Sequence, residues 1–190
     1  MKYPLLVLLA CAFPLIAQAK PVPAPHPAAP SPLRSDIPVV PAGPKDEQQF
    51  IAIIQNAQKE YAADKSDDAR KNTRVAQQIA VQKFLGLNHN AADWVGTFKN
   101  RDKTEDGDLT AEIQIAPGIT ITTFSTRYFD GASETLLRQN SSLFNTVKDL
   151  TIGQPITFSA SLLGAMISSD ADMVMYPHII ARFTKIDKVD

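Results

Sequence analysis

Glu112 to Phe124 reads EIQIAPGITITTF, and this stretch decides the fold. Ile113 and Ile115 alternate with Glu112 and Gln114, and the same alternation runs back through Leu109, Thr110 and Ala111. A period of two is the mark of a half-buried strand. Pro117-Gly118 then fits the two central positions of a type II turn, because proline presets the first φ and glycine accepts the positive second one. Ile119, Ile121 and Thr123 resume the alternation, so the stretch is a β-hairpin.

Reading outward, Trp94, Gly96 and Phe98 alternate with Val95, Thr97 and Lys99 and predict an earlier strand. Between it and the hairpin lies RDKTEDGD, Arg101 to Asp108, a turn region with Asp106-Gly107 at its tip. Downstream, Leu136-Leu137, Leu143, Phe144, Val147 and Leu150 predict a helical stretch, opened by a cap at Ser141 or Ser142. Ile156, Phe158, Ala160 and Leu162 mark a fourth strand, which Pro155 confines to an edge or a first position. A fifth runs from His178 to Ile186 after a variable segment, Gly164 to Pro177.

Ahead of the strands the period is helical. Phe50, Ile54, Ala57 and Tyr61 form one stripe, with Asp46 and Glu47 in the first turn, where the helix dipole favours negative charge. A second stretch, Asp67 to Leu85, carries Ala69, Ala76, Ile79, Ala80 and Phe84 on one expected side, with Gly86 as its stop. Asp64 to Asp68 leaves open whether the two are one long helix or a hairpin. Arg70, Lys71 and Arg74, near Asp64, Asp67 and Asp68, read as a solvated face with i,i+4 pairs.

Three strands, a helix and two strands is the order of an OB-fold, a small five-stranded barrel with α+β composition. From Trp94 to about Ile186 the chain resembles exported bacterial OB-fold proteins of the tRNA-anti-like kind. The resemblance rests on DWVGTFKN (Asp93–Asn100), EIQIAPGITITTF and LTIGQPITFSA (Leu150–Ala160). It implies a binding barrel, with a helix between strands three and four, and carries no catalytic residues across.

The first 44 residues do not read as folded domain. A positive start at Lys2, an apolar run from Leu5 to Ile16 and Ala17-Gln18-Ala19 form an export signal, residues 1–19, cleaved after Ala19. The run is too short to span a bilayer. An alternative reading takes Leu8-Leu9-Ala10-Cys11 as a lipoprotein signal with a lipid anchor on Cys11. Either places the protein in a bacterial envelope of the Gram-negative type, periplasmic, secreted or tethered. Residues 20–44 hold nine of the chain's 14 prolines, an extended polyproline linker. The domain organisation is therefore signal, linker, helical arm at 45–86 and barrel at 87–190.

Composition narrows the function. The 19 Lys and Arg nearly balance the 20 Asp and Glu, a poor match to a nucleic-acid or anionic-membrane coat. The single cysteine lies in the signal, which removes disulfide scaffolds and thiol chemistry from the mature chain. Asp102, Thr104, Asp106 and Gly107 start like a calcium loop, but Ile113 stands where the bidentate glutamate belongs. His89 and His178 lie in no metal-ligand spacing, and no nucleophile elbow or phosphate loop is present. The expectation is a non-enzyme without cofactor or metal.

What remains is recognition. The outer faces of strands two and three offer Thr110, Gln114, Thr120, Thr122 and Phe124, with one acid, Glu112, and no base. Single-strand nucleic acid needs cations and stacking platforms there, so it is a poor partner. Tyr128 and Phe129 in TRYFDGASE and Tyr176 in the last loop flank that face and complete the candidate ligand set. Met166, Met173 and Met175 with their apolar neighbours read as core packing or an adaptable contact. The partner is an envelope protein or a cell-wall glycan or peptide. A second reading is an inhibitor or immunity-type protein that neutralises an envelope-acting toxin. A third is a structural role in which Phe50, Ile54, Ala57 and Tyr61 dimerise.

Overall fold

The computed structural model describes residues 42–87, 89–165 and 174–189. The export signal, nearly all of the proline linker and the middle of the last loop, with Met166, Ile167, Asp170, Asp172 and Met173, lie outside the described residues. Two helices, α1 (Lys45–Ala63) and α2 (Asp67–Leu87), precede a closed barrel. Its strands are β1 (Asn90–Asn100), β2 (Glu112–Ala116), β3 (Ile119–Thr122), β4 (Pro155–Ala165) and β5 (His178–Lys188). The short helices α3 (Arg127–Asp130) and α4 (Ser142–Lys148) lie between β3 and β4. Among the described residues, no helix is long and apolar enough to cross a membrane.

Around the barrel the order is β1-β2-β3-β5-β4, with β4 returning to β1. All pairings are antiparallel except β3 with β5, which is parallel. This is the OB-like arrangement the strand order predicts. Inward residues come from every strand: Phe98, Ile113, Ile121, Ile156, Phe158 and Ile179 are wholly buried. Gly118 has φ of 75°, as the third position of a type II turn requires, and closes the β2–β3 hairpin. Pro155 opens β4, a first position where its missing N–H costs no ladder bond.

The helices between β3 and β4 differ from expectation. Ser141 does cap α4, its hydroxyl accepting the Phe144 N–H at 3.1 Å. Leu136 and Leu137 are not helical. Leu137 exchanges backbone hydrogen bonds with Leu109, at 2.9 and 3.0 Å, and both side chains are buried. An apolar pair satisfies either period, and here a long-range bridge decides. Val147 and Leu150 then belong to the same core as the barrel.

The arm is a hairpin and packs on the barrel, the two forming one compact unit. It breaks at Asp64–Ser66: the Ser66 hydroxyl accepts the Ala69 N–H at 3.2 Å, and Thr73 donates to Asp64 at 2.7 Å across the corner. Phe50 and Ile54 are wholly buried and Ala57 nearly so, while Tyr61 at the far end is half-buried. On α2 the buried side is Gln77, Val81 and Phe84. Ala76 and Ile79, expected inside, are exposed, and Ile79 is 61% accessible. A glutamine among apolar neighbours hid the true face. Gly86 does not stop the helix, which runs on to Leu87. Phe50 stacks at 5.1 Å on Phe84 and at 5.4 Å on Trp94, whose ring meets Phe158 of the barrel at 6.3 Å. One aromatic chain thus runs from arm to barrel.

The first turn of α1 is tied to β1 by its two acids. Asp46 accepts the Trp94 indole N–H at 2.9 Å, and Glu47 accepts the Val95 backbone N–H at 3.0 Å. Gly43 permits this, since a Cβ there would collide with the Glu47 carboxylate. Glu47 is 2% exposed, and burial lifts its pKa from 4.5 to about 7; the Val95 bond opposes this and the charge of Asp46 adds to it. The proton is therefore held more tightly in the folded chain than in the unfolded one. Stability from this group is complete below pH 4.5 and is lost as pH rises through about 7. Glu47→Gln keeps an acceptor for Val95 and has no proton to lose. It is expected to raise unfolding free energy near pH 8 by about 2–3 kcal/mol and to change little near pH 4.5. Urea melts across that range check this; an unchanged pH slope in the variant would place the titrating group elsewhere.

Candidate functional site

The β1–β2 loop carries Asp108, which is 1% exposed. Its amide is fixed by the Thr104 hydroxyl at 3.1 Å, inside a turn that Gly107 closes onto the Thr104 carbonyl at 2.9 Å. Its carboxylate accepts from Arg127 Nε at 2.9 Å, Arg138 Nη1 at 2.7 Å and the Gln139 N–H at 3.2 Å. Burial alone would raise its pKa. The hydrogen bonds from Arg127, Arg138 and Gln139, with the charge of Arg127, outweigh that and hold the carboxyl below the ordinary range. Asp102, Asp106 and Asp108 make a turn whose deepest acid is spent on arginines. Among the described residues no three His, Cys, Asp or Glu side chains gather as a metal set.

Arg138 also reaches Asp130 at 3.0 Å. Asp130 is 1% exposed and accepts the Thr135 N–H at 2.5 Å, the Thr135 hydroxyl at 2.8 Å and the Leu136 N–H at 3.3 Å. Arg127 and Asp130 are the two ends of α3: one is tied directly to Asp108 of the β1–β2 loop, the other to Arg138, which itself reaches Asp108. Tyr128 and Phe129 between them stand outward, 89% and 60% exposed, ring edge to ring face at 5.2 Å. The two exposed rings thus stand on a frame of charge-assisted bonds, the strong class of hydrogen bond, and form a knuckle. Tyr128 and Phe129 were legible in the sequence; their frame was not, since Asp108 and Arg138 are 30 residues apart.

The other expected residues do not form one site. Across β1, β2, β3 and β5 the register aligns Thr97, Gln114, Thr120 and His178 in a polar row. Thr120 is buried, at 9% exposure, and its hydroxyl is 2.9 Å from His178 Nδ1. It is thus withdrawn from an open ligand face because the parallel neighbour β5 covers it. Thr110 precedes β2 and bonds back to Asp102, accepting its N–H at 2.8 Å. Thr122 donates to the Thr123 carbonyl at 3.2 Å, and Phe124 is half-buried, its N–H held by Thr135 at 2.9 Å. Gln114 remains half-exposed beside a shallow depression with Gly96, Thr97 and Pro117. Tyr176 is exposed but lies by Gly118, at the start of β3, whereas Tyr128 and Phe129 follow its end. The face is divided along the length of that strand, roughly 13 Å for four residues at 3.3 Å each.

The two domain histidines are apart in role. His89 contacts the Leu85 carbonyl at 3.0 Å through Nδ1, and His178 meets Thr120. Neither has a carboxylate hydrogen-bond partner among the described residues. Among known proteins, no family model, curated sequence or solved structure matches this chain.

Proposed function

We propose that the chain is a non-catalytic binding module of a bacterial envelope, exported by its first 19 residues, that recognises another envelope protein through Tyr128 and Phe129. The observation that carries this reading is the clamped knuckle. Two large aromatics held in water cost solvation free energy, and aromatic anchors supply most of the energy of protein interfaces. Clamping both ends of α3 lowers the entropy lost on docking. The uncharged polar row around Gln114 supports contact at a rim better than catalysis. The hydroxyl of Thr120 has an imidazole neighbour but no carboxylate orienting it, and it is buried. The sequence resemblance to exported OB-fold proteins points the same way.

The test is site-specific photo-crosslinking from position 128 in live cells of the native host. A discrete adduct in the envelope fraction is expected, with at least tenfold less product when Phe129→Ser is added. An adduct confined to the cytoplasm, or product unchanged by Phe129→Ser, would overturn the reading. If the adduct is a hydrolase whose activity the protein abolishes, the inhibitor reading is the correct form of it.

A further inference from the structure

At the opposite end of the barrel, the helical hairpin crosses the end of β4 and the beginning of β5. There it leaves a cleft of about 350 Å3, lined chiefly by Ile54, Gln77, Val81, Leu85, Leu163 and Ile179. An engineered apolar cavity of about 150 Å3 accepts benzene, and ligand sites usually fall between about 300 and 1,000 Å3. The described lining holds no carboxylate and no aromatic ring. A cationic ligand would lack a counter-charge there, and a sugar would lack a stacking platform.

Gln77 is 7% exposed, and its Nε2 has no hydrogen-bond partner; no other buried side-chain nitrogen or oxygen among the described residues lacks one. Its place on α2 calls for an apolar residue, since Val81 and Phe84 follow at i+4 and i+7 on the same buried side. A buried amide donor without an acceptor is destabilising, and such groups call for a specific explanation. Arg74, one turn earlier, lines the same cleft. It takes part in another interaction as well.

We propose that this cleft binds a medium-chain carboxylate amphiphile, with the alkyl chain against Ile54, Val81, Leu163 and Ile179 and a carboxylate oxygen accepting from Gln77 Nε2. The cleft falls at the lower end of the usual range for small-molecule sites, which suits a chain of medium length. The site is independent of the Tyr128–Phe129 knuckle and stands or falls separately from it.

Decanoate, below its micellar concentration, is the probe, added to the purified full chain labelled with 15N. Saturable binding is expected, with the Gln77 side-chain amide resonances shifting along the same isotherm. Gln77→Leu completes the apolar stripe, so it is expected to fold with a Tm at or above that of the unmodified protein, yet to bind decanoate at least tenfold more weakly. Methyl decanoate, uncharged, is also expected to bind at least tenfold more weakly. Absence of saturable binding overturns the proposal. So does decanoate bound equally by Gln77→Leu, or an ester that binds as well as the acid.

Discussion

Phe50→Ala is expected to lower the unfolding free energy by about 3–5 kcal/mol, the usual cost of deleting a buried phenylalanine. Domains of this size hold only about 5–15 kcal/mol in total, so the variant gives up a large share of its stability. The reason is position. Phe50 is wholly buried between Phe84 of the second helix and Trp94 of the first strand, and among the described residues no other ring joins those two. Its loss opens a void between arm and barrel that neither side closes without moving backbone. Trp94 is the chain's one tryptophan, so its fluorescence reports that seam directly in a urea melt. A loss below about 1 kcal/mol would mean that the hairpin is an accessory and not core.

Asp108→Ala should cost about 3 kcal/mol. Hydrogen bonds to a charged group contribute about 1.5–3 kcal/mol each, and three end on this carboxylate. The full sum is not expected, because Arg127 and Arg138 are 50% and 43% exposed and regain water when released. The pH signature is specific. A carboxyl held below its ordinary value stabilises the fold above that value and stops doing so as pH falls through the lowered one. The unmodified protein should therefore lose stability below about pH 4 more steeply than the variant. Amide exchange at Arg127 to Asp130 should also quicken in the variant, since one anchor of the knuckle is gone. Unchanged exchange there would show that Asp130 alone holds it. Glu47 acts in the opposite sense, so the two carboxyls together place the stability maximum in mildly acidic solution.

The barrel was legible because its information is local. Alternation around Ile113, Ile121 and Phe158 needs no partner to be read, and Pro117-Gly118 and Ser141 announce a turn and a cap by chemistry alone. Residues whose state depends on distant ones were not legible. Glu47 looks like an ordinary first-turn acid until Val95, 48 positions on, donates to it. Leu136-Leu137 fits a helix until Leu109 pairs with it, and Gln77 looks solvated until Val81 and Phe84 fix which side of α2 faces inward. Of the expected ligand residues, Tyr128, Phe129 and Tyr176 are exposed, whereas Thr120 is buried beside its parallel neighbour. Alternation gives a face and does not say what lies alongside it.

The last described strand, β5, pairs with β3 on one side and β4 on the other. Closure of the barrel therefore waits on residues synthesised after its other four strands. Until they arrive, β3 and β4 present open edges to any extended chain nearby. Pairing over such sequence separation is slow and exposed to misassembly. A nascent copy should accordingly depend on a holding chaperone until β5 is released, and a copy shortened within β5 should remain a lasting client.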